Sequence, residues 1–143
     1  MITRTGLCAF CAFFTVVFFP EPSVGKDLVI SSDMQYQYAQ KLLNDKDYET
    51  AAIEFKRFVH FFPEDEKIMA ARFHTGLSLY HAGKYKASAR IFNALILEKA
   101  DHPYKTPSYF FQSNAFRLSG NMAYARIVLL NLIKITRDPL VKN

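Results

Sequence analysis

Three stretches of the chain decide its fold: YETAAIEFKRF at residues 48–58, YKASARIFNAL at 85–95 and MAYARIVLLNL at 122–132. Each begins 37 residues after the previous one. They repeat a small residue and, four positions later, a large apolar one: Ala51, Ser88 and Ala125, then Phe55, Phe92 and Leu129. A fixed period in this range is typical of helical solenoids, in which each unit buries its apolar face against the next.

The same step recurs about one helix earlier, at an aromatic, a small and an apolar position: Tyr36, Phe73 and Phe110; Ala39, Gly76 and Ser113; Leu42, Leu79 and Phe116. Apolar residues recur at spacings of three and four, and no stretch alternates as a strand would. Pro63, Gly83, Gly120 and Pro139 separate or end the periodic stretches. The sequence therefore predicts an all-α fold with helices at about 33–44, 48–61, 66–81, 85–99, 107–118 and 121–136.

The repeated positions have mechanical roles. The small residues let the two helices of a unit approach closely, and the large ones fill the space between units. Fully burying each large side chain contributes ~1.5–3 kcal/mol. We expect three antiparallel helix pairs, at about 32–68, 69–105 and 106–139, in one domain over residues 26–143.

The first 25 residues are interpreted as a secretory signal peptide. Residues 6–19 run apolar without a charge, Pro20 follows, and Ser23-Val24-Gly25 supplies small residues for cleavage. The apolar run of 14 residues is shorter than the ~20 that a spanning helix needs. An uncleaved membrane anchor is the alternative interpretation.

Both cysteines, Cys8 and Cys11, lie inside that apolar run. The mature chain would therefore hold no disulfide, thiolate metal site or cysteine nucleophile. Leu7 and Phe10 precede the cysteines where a lipoprotein needs a small residue, so we predict no lipidation site. The net charge of +5 is compatible with peripheral association with an anionic envelope surface. However, the basic residues are scattered among acidic ones, which favours a solvated face and no nucleic-acid partner.

The repeated positions resemble the tetratricopeptide repeat. The first unit matches through Ala39, Tyr48, Ala51, Phe55 and Pro63. The later units match through Gly76, Tyr85, Ser88 and Phe92, and through Ser113, Gly120, Ala125 and Leu129. The resemblance implies a right-handed solenoid and covers essentially all of the mature chain.

The 37-residue period resembles one subgroup of that family. Phe62-Pro63, a polar loop, the Ala71 to Gly76 spacing, Tyr80 and Gly83-Lys84-Tyr85 look like exported bacterial repeats. Such repeats occur in the outer-membrane β-barrel assembly lipoprotein and in the periplasmic cell-division coordinator of the Tol–Pal system. The resemblance implies a periplasmic location.

The resemblance also implies a partner-binding groove lined by the first helix of each unit. The corresponding positions are Tyr36, Gln40 and Leu43; Phe73, Leu77, Tyr80 and His81; and Phe110, Asn114 and Arg117. One aromatic per repeat would form a ladder for an extended or helical apolar segment. The alternative is that these rings are core packing. Tyr36 and Phe73 replace the lysine of the family's carboxylate clamp, so that ligand class is excluded.

No motif for catalysis, a cofactor or a metal emerges. The chain has no Gly-x-Ser-x-Gly, no phosphate loop and no paired carboxylates at a cleft. His74 and His81 are seven residues apart, whereas zinc ligands on one helix are typically three or four apart. We therefore predict a protein that is not an enzyme and has no cofactor.

The last helix is apolar nearly all round, although solenoids need a polar terminal face. We expect Leu129, Leu130, Leu132 and Ile133 to form an end-face interface. Another copy, a different partner or further repeats would cover this face.

The predicted function is a periplasmic protein–protein interaction scaffold in cell-envelope or outer-membrane assembly. The alternatives are a peptide- or substrate-binding module that uses the groove, and an enzyme built on a helical solenoid. A protein or peptide is the expected partner in the first two cases, and self-association would use the last helix.

Overall fold

The computed structural model describes residues 30–137, and this part of the chain is all-helical. The prediction of an all-α fold is thereby confirmed. The helices are α1 (Ser32–Asn44), α2 (Tyr48–Phe61), α3 (Ile68–His81), α4 (Tyr85–Leu97), α5 (Lys105–Leu118) and α6 (Met122–Arg137). The predicted signal peptide at residues 1–25 and the predicted stop at Pro139 lie outside the described residues.

The helices pack in chain order. Each helix packs on the one before it and the one after it, and α3 also contacts α5. Short turns join α1 to α2, α3 to α4 and α5 to α6, so these neighbours form antiparallel pairs. The three pairs are called the first, second and third unit.

Small residues bring the two helices of each unit together. Ser88 Oγ of α4 donates a hydrogen bond of 2.8 Å to the Gly76 carbonyl oxygen of α3. Ser113 Oγ of α5 donates one of 3.0 Å to the Ala125 carbonyl oxygen of α6. In the second unit the approach leaves no spare room, because a Cβ on Gly76 would lie 2.8 Å from Cε1 of Phe92.

The turn inside each unit repeats in backbone detail. Lys46, Gly83 and Gly120 stand 37 residues apart and have φ values of 64°, 73° and 83°. In each turn, the next amide donates to a carbonyl five residues back: Asp47 to Leu42, Lys84 to Leu79 and Asn121 to Phe116. This is the hydrogen-bond pattern of a Schellman helix end. The first unit therefore places a lysine in a left-handed conformation that favours glycine.

Two helices start two residues away from the predicted position, and α1 and α6 start one residue away. Helix α3 begins at Ile68 instead of 66, because Asp65 accepts a 2.8 Å bond from the Lys67 amide and holds the preceding turn. Helix α5 begins at Lys105, two residues before Pro107. Proline is tolerated there because the first amides of a helix have no intrahelical acceptor.

The core is a row of large side chains between the units. Phe55, Phe58, Phe92 and Leu95 are at most 1% exposed. One cluster surrounds Phe55 and Phe58, and another surrounds Phe92 and Leu95, with Tyr104 packed against both. The core therefore continues from the first unit into the second without a break.

Candidate functional site

The structure places two of the three predicted ladder aromatics in the core. Tyr36 is 8% exposed and packs edge-on against Phe55 and Phe58 at ring-centroid distances of 5.6 and 5.3 Å. Its hydroxyl lies 3.1 Å from Nδ1 of His74. Burial, with a smaller contribution from Tyr104, raises the pKa of Tyr36 above its ordinary value. This ring is a structural part of the first unit.

Phe73 occupies the same place in the second unit. It is 9% exposed and lies 5.6 Å from Phe92, 5.1 Å from Tyr104 and 5.8 Å from Phe111 between ring centroids. Phe110, at the corresponding position in the third unit, is 53% exposed. The three rings therefore do not form one ligand-facing ladder, and core packing is the role of Tyr36 and Phe73.

Some of the remaining predicted groove residues are half-buried and the others are exposed. Half-buried positions are Gln40, Leu43, Leu77, Tyr80 and Asn114, whereas His81 and Arg117 are exposed. His81 stacks on Tyr48 of α2 at 5.0 Å, and Tyr80 lies edge-on to Tyr85 and Phe111. These contacts are made within the chain itself, so they hold neighbouring helices together.

Sequence reasoning missed the residues that cover each core phenylalanine. His74 lies over Phe55 at 5.2 Å, and Phe111 stacks on Phe92 at 5.5 Å with the ring planes 20° apart. His74 and Phe111 are 37 residues apart. Burial lowers the pKa of His74 below its ordinary value. The 37-residue step relates the two residues in the sequence, but His74 is polar and Phe111 is apolar, so the pattern does not identify them as equivalent.

Within residues 30–137 the third unit has no such covering residue. Within residues 30–137 no helix follows α6, and Leu129, at the position of Phe55 and Phe92, is 42% exposed. Leu130 and Ile133 are 48% and 44% exposed, and Leu132 is half-buried. Together with the exposed Phe110, these predicted interface residues form an apolar end face. We call Phe110, Leu129, Leu130, Leu132 and Ile133 the C-terminal face.

A groove that the sequence did not predict runs between α4 and α6 over α5. Its volume is about 950 Å³, and Arg90, Tyr109, Tyr124 and Ile127 are among its lining residues. A cavity of about 870 Å³, also lined by Tyr109, continues it toward the α4–α5 loop. None of the predicted groove residues lines either cavity. We call this feature the α4–α6 groove.

The α4–α6 groove is mainly basic along its length. Lys86 and Arg90 of α4 are among its lining residues. Lys99 and Lys105 line its continuation, together with the acidic Asp101. Aromatic and aliphatic side chains form the surface between these charges. The groove therefore suits a ligand that combines apolar and anionic groups.

Two kinds of site are absent from the part of the chain that the structure describes. Residues 30–137 contain no cluster of three His, Cys, Asp or Glu side chains that could hold a metal ion. None of their helices has the length and apolar character needed to cross a membrane. The structural features that stand out are surfaces for binding.

Comparisons with known proteins do not assign the chain to a family. No protein-family model matches it, and no curated protein shows significant similarity to it.

Proposed function

We propose that this protein is a helical-repeat scaffold that binds another polypeptide through the C-terminal face. Three helix pairs with a 37-residue step support a tetratricopeptide-like solenoid. All three have the same helix-end turn, and the second and third have a close small-residue contact. Stacked repeats of this kind serve mainly as extended binding surfaces. A binding role needs no catalytic group.

The observation that carries this proposal is the exposure of the C-terminal face. Phe55 and Phe92 are fully buried, while Leu129 at the same repeat position is 42% exposed. Phe110 and Leu130 are exposed beside it. Several exposed apolar side chains on one helix of a globular protein typically mark an interaction site.

We further propose that the protein acts in the bacterial periplasm, in envelope or outer-membrane assembly. The apolar run and small residues within 1–25 support export. N-terminal sequencing of protein from the envelope fraction is the test. A mature start near Lys26 is expected, whereas an intact Met1 in the cytosol would contradict export.

Site-specific photocrosslinking in the cell tests the binding surface. A photoreactive phenylalanine replaces Leu130 on the C-terminal face. The matched control replaces Lys56, which is exposed on α2 at the same repeat position. An adduct at position 130 and not at 56 is the expected result. Leu130 lies next to Leu129, which no helix covers within residues 30–137, whereas Lys56 lies next to Phe55, which His74 of α3 covers. Equal or absent adducts at both positions would overturn the proposal.

The α4–α6 groove supports a second candidate function, the capture of an amphipathic peptide with acidic side chains. Lys86 and Arg90 beside Tyr109 and Ile127 favour this ligand. A labelled acidic amphipathic helix should bind with an anisotropy change that Arg90→Glu abolishes and Lys56→Glu preserves. An equal loss in both variants would mean that binding depends on general charge and not on the groove.

A further inference from the structure

The opposite end of the stack also exposes an apolar line. Ile30, Met34 and Tyr38 are 48%, 56% and 51% exposed. Residues four apart on a helix lie above one another, so Met34 and Tyr38 share one face of α1. Ile30 lies two residues before that helix begins. We call these three residues the N-terminal face. A solenoid end that meets only water is normally polar.

The equivalent positions inside the stack are buried. Thirty-seven residues after Met34 and Tyr38 stand Ala71 and Thr75 of α3, which are 0% and 2% exposed. One step further stand Ser108 and Gln112 of α5, at 0% and 4%. The N-terminal face is therefore the face by which α3 and α5 pack on the preceding helix.

The hydrogen bonds of α5 show which residues of the preceding helix this face contacts inside the chain. Gln112 Nε2 donates to the Ala89 carbonyl oxygen at 3.4 Å and to Asn93 Oδ1 at 3.1 Å, both on α4. Thirty-seven residues after Ala89 and Asn93 stand Arg126 and Leu130 of α6.

The ring of Phe111 also shows which residues of α6 correspond to the covered surface of α4. Phe111 of α5 stacks on Phe92 of α4, and Leu129 is the equivalent of Phe92 on α6. Within the described residues, both Leu129 and Leu130 are exposed. The C-terminal face is thus the receiving half of a junction that the chain makes twice internally, between α2 and α3 and between α4 and α5.

We propose that the occupant of the C-terminal face is the N-terminal face of a second copy of this chain, packed head to tail. In the internal register, Tyr38 of one copy lies over Arg126 and Leu130 of the next. Met34 then meets Leu130 and Ile133, and Gln37 takes the place of His74 and Phe111 over Leu129. This inference rests on the proposed function of the C-terminal face and names its partner.

The side chains at this junction determine its character. Met34 and Arg126 are larger than Ala71 and Ala89 at the internal positions, so the two helices stand further apart than inside the chain. The Tyr38 ring can lie against the Arg126 guanidinium. Lys41, whose internal equivalents are buried, lies near Arg126 with the same charge. Apolar burial drives this association and charge opposes it, so added salt strengthens it.

The junction joins two different surfaces, so a joined pair keeps one free face of each kind. Such a heterologous contact produces open chains unless its rotation closes a ring. The expected mass of the wild-type protein in light scattering therefore rises with concentration and passes beyond that of a dimer. An α6-to-α6 contact, by contrast, would stop at a dimer.

The test uses the protein as it is expressed, with one charge placed on either face. Met34→Glu blocks the N-terminal face, and Leu129→Glu blocks the C-terminal face, because the equivalents of Leu129 inside the chain are the fully buried Phe55 and Phe92. Both side chains are about half exposed, so the fold should tolerate them, and helical circular dichroism checks this. Tyr38→Glu and Ile133→Glu repeat the test if either first variant unfolds. Each variant alone should be monomeric.

An equimolar mixture of the two variants decides the geometry. Each variant retains the face that the other lacks, so the mixture should form a dimer with one intact junction. A Met34→Glu variant that still dimerises alone would overturn the head-to-tail contact. A wild-type protein that stays monomeric would also overturn it. The photocrosslinking experiment separates this proposal from the proposed scaffold function. If position 130 formed an adduct whose mass differs from that of two copies of the chain, the partner would be another protein and the scaffold function would stand.

Discussion

The first and second units differ from the third in what covers them, although the repeat positions are shared. His74 covers Phe55 and Phe111 covers Phe92, and both phenylalanines are fully buried. In the third unit, Leu129 holds the same position and is 42% exposed. The comparison shows that a repeat position specifies a surface for the next helix, and that burial depends on whether a helix is there.

The same lesson applies at the start of the stack. Met34 and Tyr38 hold positions that are buried in the second and third units, yet both are about half exposed. The two ends of the described structure are therefore unlike its interior. The following predictions test this difference between interior and ends.

The largest effect is expected from emptying an interior position. Phe92→Ala should lower the free energy of unfolding by ~3–5 kcal/mol, because it leaves a cavity among fully packed rings. Phe55→Ala should lower the free energy of unfolding by a similar amount. Leu129→Ala is the matched variant at the exposed position and should cost much less in the isolated chain. Urea denaturation measures all three, and equal losses at positions 92 and 129 would refute the difference between the units.

Adding one methyl group inside the second unit should also destabilise it. Gly76→Ala would place a Cβ 2.8 Å from Cε1 of Phe92, and that ring is held between Phe73 and Phe111. Overpacking of this kind costs ~1–3 kcal/mol, which exceeds the ~1 kcal/mol that alanine gains over glycine in a helix. A lowered thermal midpoint is expected, and Gly76→Ala combined with Phe92→Leu should recover part of it. An unchanged midpoint in Gly76→Ala would contradict the close contact.

A smaller change, in the stabilising direction, is expected at Ser78. Its hydroxyl is fully buried and has no hydrogen-bond partner among residues 30–137. Ala115, also fully buried, holds the same position in the third unit. Ser78→Ala removes a polar group whose burial costs ~1–3 kcal/mol, so the urea midpoint should rise. Ser88→Ala is the control and should be destabilising, because Ser88 donates a bond to Gly76.

The smallest effect concerns pH. Burial lowers the pKa of His74 in the folded protein. In the unfolded chain the pKa of a histidine is about 6.5. As the pH falls below that value, the histidine is protonated in the unfolded state before it is protonated in the folded state. The contribution of neutral His74 to the free energy of unfolding is therefore lost as the pH falls. His74→Phe, which copies Phe111, should flatten the dependence of the unfolding free energy on pH below about 6.5. His60→Phe, at an exposed position, should leave the dependence in place.

Much of the helical framework was predictable from periodic apolar residues and turn residues. The helix order, the small contacts at Gly76 and Ser88, and the turns at Gly83 and Gly120 follow from local rules. The left-handed Lys46 did not, because nothing in its side chain requires that conformation. The 37-residue step alone identifies it as the equivalent of the two glycines.

The binding surfaces were harder to predict. Whether Tyr36 and Phe73 face a ligand or the core depends on how far apart neighbouring helices stand, and periodicity does not give that distance. The α4–α6 groove combines side chains from three helices, so no single stretch signals it. The end face was accessible from sequence, since the last helix is apolar on more sides than one neighbouring helix can cover.

Amide hydrogen exchange at increasing protein concentration tests the central claim most directly. We expect protection in α1 and α6 to rise together with concentration, because each covers the other between copies, while α3 and α4 stay unchanged. The Met34→Glu variant should show no such rise in either helix. A protection pattern independent of concentration, or a rise confined to α6, would contradict the head-to-tail account.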